Sequence, residues 1–116
     1  MIFHLPYPPS DLMPNRKNGK HWGATKNVKD RAIEDAYYIT LEALKTRKLD
    51  TSDSYPLTMT FVQADKRKRD LDNLLAASKA SLDGVARALN IDDKLFEPIT
   101  IKRGYDINAY VKVEIG

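Results

Sequence analysis

The stretch KRKRDLDNLLAASK, residues 66–79, sets four consecutive cations directly before Asp70 and Asp72, two carboxylates separated by one leucine. In an extended segment alternate residues point to the same side, so the two acids are expected to converge. Like charges held together cost free energy unless a cation lies between them. Neighbouring Lys or Arg side chains can supply that charge, and so can a divalent metal. A site with few hard oxygen ligands, completed by waters, suits Mg²⁺ or Mn²⁺. The plainer alternative makes Asp70 a helix cap and Asp72 a favourable first-turn acid. It accounts for one aspartate and leaves the four preceding cations without a reason.

Helix periodicity extends the constellation. At about 100° per residue, Asp72, Lys79 and Asp83 fall nearly on one line if the helix after Asp70 is continuous. Lys79 then stands roughly 10 Å beyond Asp72, close enough for its long side chain to lean back toward a phosphate there. Asp83, roughly 16 Å away, cannot share a metal with Asp72 and is placed to pair with Lys79. Cations also gather between residues 16 and 31, where Arg16, Lys17, Lys20, Lys26, Lys29 and Arg31 meet only Asp30. Two local basic segments on a chain of net charge +3 suggest contact with a polyanion backbone; two solvated loops are the bland alternative.

The elements that must carry these residues follow from apolar spacing. Residues 1–5 read as a short strand. Residues 6–26 read as a loop, punctuated by PYPPS, Pro14-Asn15, Gly19 and Gly23, with His21 and Trp22 among its cations. Asn27 is a candidate cap for a helix over 28–47, whose apolar line is Ile33, Tyr37, Leu41 and Leu44. Leu57, Met59 and Phe61 alternate with Thr58, Thr60 and Val62 as in a half-buried strand. Leu71, Leu74, Leu75, Ser78, Leu82, Val85, Ala86 and Leu89 form one helical stripe that Asn90 ends. Residues 97–103 and 107–115 are β-rich and are expected to pair as a hairpin. The order is β-α-β-α-β-β, an α+β domain with a small mixed sheet flanked by two helices on one side.

The whole chain excludes several classes. Its 116 residues make one domain of 1–116, with 42% hydrophobic and 30% charged residues as in an ordinary globule. No apolar run approaches the length of a membrane helix, and MIFHLPYPP lacks the charged n-region of a signal peptide. The absence of cysteine excludes disulfides and thiolate metal sites and suits a cytoplasmic location. No glycine-rich phosphate loop is present, so a nucleotide cofactor is not expected. His4 and His21 both sit near the N-terminal end, and His4 in a strand reads as a packed residue rather than a base, which argues against Ser/His chemistry.

The run RDLDNLLAASKASLDG, followed by IDDKLF, resembles the RusA family of Holliday junction resolvases of bacteria and their prophages. PYPPS resembles that family's opening as well. The likeness spans most of the chain and is densest over residues 66–96. It implies a Mg²⁺-dependent endodeoxyribonuclease, acting as a homodimer that cuts a four-way DNA junction at symmetric positions. By motif position, the family's essential acids fall on Asp70, Asp72 and Asp93, and its helical lysine on Lys79. The family lysine stands one turn after the second acid, where this chain has Ala76, so Lys79 matches through a short insertion. Under this resemblance Arg16, Lys17, Lys20, Lys66, Arg67, Lys68 and Arg69 grip the flanking DNA backbone.

A distance follows from the expected helix. If 72–89 is continuous, its ends lie about 27 Å apart, which strands Asp93 far from Asp70 and Asp72. A two-fold partner with its helix antiparallel would place its own Asp93 beside them, giving composite sites in a homodimer. Two rivals remain: a catalytically silent nucleic-acid-binding module, and a metal-dependent nuclease for another branched substrate.

Overall fold

The structure is a computed structural model that describes residues 1–14 and 22–116, the side chains of 22–24 excepted. Arg16, Lys17, Lys20 and His21 lie outside the described residues. Four strands form one mixed sheet: β1 (Ile2–Leu5), β2 (Tyr55–Gln63), β3 (Phe96–Tyr105) and β4 (Tyr110–Ile115). Three helices accompany it: α1 (Trp22–Leu44), α2 (Leu71–Ala77) and α3 (Lys79–Leu89). The expected α+β class holds, with one helix more than the periodicity suggested.

Period-two alternation explains the central strands. On β2, Leu57, Met59 and Phe61 are at most 1% exposed, and on β4 Val111, Val113 and Ile115 are at most 2% exposed. Register pairs these residues directly, Leu57 with Ile115, Met59 with Val113 and Phe61 with Val111. Phe3 on β1 joins the same row opposite Val113. The helices cover this face. The other face carries His4, stacked on Tyr110 at 4.4 Å, beside Thr58, Thr60, Lys112 and Glu114. His4 is thus exposed, resting against the Tyr110 ring, rather than the packed residue its strand position suggested.

The expected hairpin between the last two strands does not form. The sheet order is β1-β4-β2-β3, so β2 lies between β3 and β4. β3 runs parallel to β2, while β4 runs antiparallel to both β2 and β1. The burial patterns give the reason. β4 alternates buried and half-buried residues and takes an inner position, whereas β3 is exposed along most of its length and takes the edge.

The helices depart from the expected bounds in two places. α1 begins at Trp22, so Asn27 lies inside the helix and caps nothing; a Lys26–Asp30 ion pair of 2.8 Å spans that turn. Its most buried positions are Ala36 and Thr40 rather than Ile33, Tyr37, Leu41 and Leu44. Small residues are required there because α3 approaches closely. A Cβ on Gly84 would stand 2.2 Å from the Ile33 carbonyl oxygen. The second helical stripe is buried nearly as its spacing predicts, with Leu74, Ala77, Ser78, Leu82, Val85 and Ala86 inside.

That stripe is nevertheless carried by two helices, because the backbone breaks at Ser78. Its dihedrals are φ −96° and ψ 0°, its N–H donates to Leu75 O at 3.0 Å, and its hydroxyl donates to Leu74 O at 2.9 Å. A buried serine that bonds back to its own turn competes with the helical ladder and bends it. Asn90, at φ 57° and ψ 45°, ends α3 in the left-handed region, and the Ile91 N–H reaches back to Ala86 O at 3.0 Å.

Candidate functional site

β2 delivers the chain to the site through Gln63. It continues the buried row of Leu57, Met59 and Phe61, and is the one polar residue in it. Its amide donates to Asp65 O at 3.0 Å, to Asp65 Oδ1 at 3.3 Å and, at short range, to Arg67 O. A buried amide must find partners, and here the turn after the strand supplies them. Gln63 Oε1 is buried without a hydrogen bond, as is the Tyr7 hydroxyl.

Asp65 organises the basic run. Its carboxylate accepts from Arg69 Nη1 at 2.9 Å and Nη2 at 3.0 Å, and from the Arg67 N–H at 3.1 Å. The Arg69 guanidinium, helped by the Arg67 amide, holds the Asp65 carboxyl below its ordinary range. Arg69 also lies over the Tyr7 ring, 5.9 Å from its centre. Burial pushes the Tyr7 hydroxyl up. Arg103 on β3 completes the frame, donating to Arg69 O through Nε at 3.3 Å and Nη2 at 2.9 Å. One of the four cations is thus occupied in folding the loop. Lys66, Arg67 and Lys68 stand exposed beside it.

Asp70 occupies the N-cap position of α2, and its C=O accepts from the Leu74 N–H at 3.1 Å. Its side chain makes no capping bond; Asn73 Nδ2 approaches Asp70 Oδ2 at 3.5 Å. The side-chain capping that the plainer account supposed is therefore missing, while Asp72 does sit in the first turn of α2. Both carboxylates are exposed. Because Leu71 is already helical, the pair straddles a loop–helix boundary, and the extended geometry from which convergence was argued does not apply.

Lys79 is exposed at the first position of α3, beyond the break at Ser78. The single line through Asp72, Lys79 and Asp83 is therefore interrupted. Asp83 pairs with Arg87 at 2.9 Å, not with Lys79. Asp93 opens a short 3-10 turn, Asp93–Leu95, and is exposed. Its neighbour Asp92 takes the capping role: Oδ1 accepts from the Lys94 N–H at 2.9 Å, which lowers the Asp92 carboxyl below its ordinary range.

Parallel pairing fixes where these acids stand. Tyr55 is level with Phe96 and Gln63 with Tyr105, so β2 and β3 start and finish together. The Asp65–Asp70 loop leaves the finishing end, and Arg103 ties it there. Asp93 precedes the starting end. Nine strand intervals separate the two, about 30 Å. Among the described residues, no three carboxylate or histidine side chains gather closely enough to hold a metal.

Sequence reasoning missed Gln63, Asp65, Tyr7 and Arg103. A signal existed for Gln63, a polar residue at a buried strand position. Asp65 precedes Arg69 by four residues, but in a loop that spacing fixes no contact. No family model matches this chain, and a search of curated proteins finds no match either. No helix among the described residues is long and apolar enough to cross a membrane.

Proposed function

We propose that the protein is a metal-dependent endodeoxyribonuclease for branched DNA, with the four-way junction as its substrate. The observation that carries this reading is the exposed pair Asp70 and Asp72 at the start of α2, Asp70 making no side-chain capping bond, directly after a loop that Arg103 ties to β3 and that carries Lys66, Arg67 and Lys68. The resemblance of RDLDNLLAASKASLDG to the RusA family supports it from the sequence side.

Asp70 and Asp72, with Asp93 of a second copy, are the groups to hold one or two Mg²⁺, or Mn²⁺ in its place. Hard carboxylate oxygens at low count match those ions. The metal would lower the pKa of a bound water and offset charge on the phosphate. The chain's own contribution is placement. Gln63, Asp65 and Arg103 fix the loop, which sets where Asp70 and Asp72 begin α2. Lys66, Arg67 and Lys68 offer charge to the phosphates on either side, with Arg16, Lys17 and Lys20 of the basic segment before α1. Such contacts position a strand and carry little sequence information. Lys79 is assigned to the developing negative charge at the scissile phosphate.

A silent binding module is favoured by one specific observation, the Arg69–Asp65 pair, in which an aspartate beside this run serves only to pair with a cation and hold the loop. Cleavage distinguishes the two. A labelled four-way junction, a linear duplex and a flap are incubated with the protein, with and without Mg²⁺, alongside Asp72→Asn. Metal-dependent cutting confined to the junction and lost in the variant supports the proposal. Binding without cutting supports the silent module, and preferential cutting of the flap assigns a different branched substrate.

A further inference from the structure

A cavity of about 300 Å³ lies between the segment that follows β1 and the helices. Tyr7 and Pro9 line it from that segment, Ala32 from α1 and Ser81 from α3. Arg31 and Asp35, both exposed on α1, add the charged part of the lining. The volume is at the small end for a ligand pocket and suits one flat ring system.

The two charged residues are free to serve a ligand. They stand four apart on one helix, a spacing at which side chains meet. Lys26 and Asp30 pair at that spacing at 2.8 Å one turn earlier, and Asp83 and Arg87 do so on α3 at 2.9 Å. Among the described residues, Arg31 and Asp35 make neither an ion pair nor a side-chain hydrogen bond. A guanidinium and a carboxylate thus border one cavity without neutralising each other.

Their chemistry narrows the occupant. A carboxylate accepts best from two adjacent N–H donors, and a guanidinium donates best to two adjacent acceptors. Of the four DNA bases only guanine presents both, N1–H beside its N2 amino group and O6 beside N7. Adenine and cytosine offer a carboxylate a single amino group, and thymine offers one N–H between two carbonyls.

From this we infer that the cavity takes one unstacked guanine of the bound DNA, with Asp35 on N1–H and the N2 amino group, Arg31 on O6 and N7, and the Tyr7 ring against the base.

The position in the fold agrees with this role. Tyr7 both lines the cavity and carries the Arg69 guanidinium, 5.9 Å from its ring centre, and Arg69 directly precedes Asp70. A strand whose phosphate lies at Asp70 and Asp72 therefore passes the cavity within a side chain's length. Stacking is interrupted at a branch point, so a base there leaves the stack at least cost. Contacts from Lys66, Arg67 and Lys68 to phosphates leave base identity unread, and this cavity would read it. The strand's path rests on the nuclease proposal.

The test uses labelled four-way junctions that differ only in the base at each of the first three positions from the branch point. Affinity is measured by anisotropy without metal, and cutting with Mg²⁺. At one position guanine should bind about tenfold tighter than adenine. Hypoxanthine, which lacks the N2 amino group, and 7-deazaguanine, which lacks the N7 acceptor, should each lose most of that gain. In Asp35→Ala the hypoxanthine effect should vanish while the 7-deazaguanine effect persists, and Arg31→Met should show the reverse. Absence of junction binding, equal affinity for guanine and adenine at every position, a preference for another base, or a hypoxanthine effect undiminished in Asp35→Ala would overturn the assignment. Junction cutting with no base preference would remove the guanine site and leave the nuclease reading standing. Guanine-dependent binding without cutting would do the opposite.

Discussion

Asp65 and Asp70 show how one residue type divides its work within six positions. Asp65 faces a guanidinium and two amides and is consumed in folding the loop. Asp70, at a helix start where aspartate ordinarily caps, makes no capping bond. Replacing Asp72 by Asn should therefore abolish Mg²⁺-dependent junction cutting, by at least a hundredfold, while junction binding measured without metal persists. Asp65 has a carboxyl held below its ordinary value of 3.8, so its contribution to stability is complete above that value. It fades only as pH falls through the lowered value. Carbon-13 NMR titration should find the Asp65 carboxylate ionising below 3.8, and Arg69→Ala should raise it towards that value, with the Arg67 amide still acting on it. The Asp70–Asp72 motif was legible in the sequence because two acids so close beside four cations stand out. The Asp65–Arg69 pair was not, because loop spacing carries no fixed direction.

At the scale of elements, alternation and helical periodicity located strands and helices but not their neighbours. The row Leu57, Met59, Phe61 and the stripe Leu74 to Ala86 are buried as their spacing implies. The expected hairpin failed because proximity in sequence was taken for proximity in the sheet, whereas burial demand placed β4 inside and β3 at the edge. The expected single helix failed at Ser78, whose hydroxyl turns back onto Leu74 O. Periodicity survives such a bend and therefore hides it. Nor could spacing reveal that α1 meets α3 through Ala36 and Gly84, because apolar scales give small residues little weight. Gly84→Ala should force the helices apart at the Ile33 carbonyl and cost about 1–3 kcal/mol, read as a lowered thermal midpoint at unchanged helical content.

For the whole molecule, the β2–β3 register separates Asp93 from Asp70 and Asp72 by the length of the sheet. The distance first argued from a continuous helix thus rests on strand pairing instead. Charge distribution leads to a further expectation. Lys66, Arg67 and Lys68 together should account for two to three phosphate contacts, so replacing all three by Ala should flatten the slope of log binding constant against log salt by about 2–3. Fluorescence anisotropy on a labelled junction across a salt series checks it.

Subunit mixing is the most direct test of an active centre drawn from two copies. Asp72→Asn and Asp93→Asn are each inactive alone in this account. In a mixed dimer one centre carries both changes, and the other carries neither. Co-refolding the two variants in equal amounts should therefore restore Mg²⁺-dependent junction nicking to about a quarter of the unmutated rate, since half the dimers hold one intact centre. Recovery of that size is the predicted result. No recovery, from a mixture shown to contain mixed dimers, would contradict it.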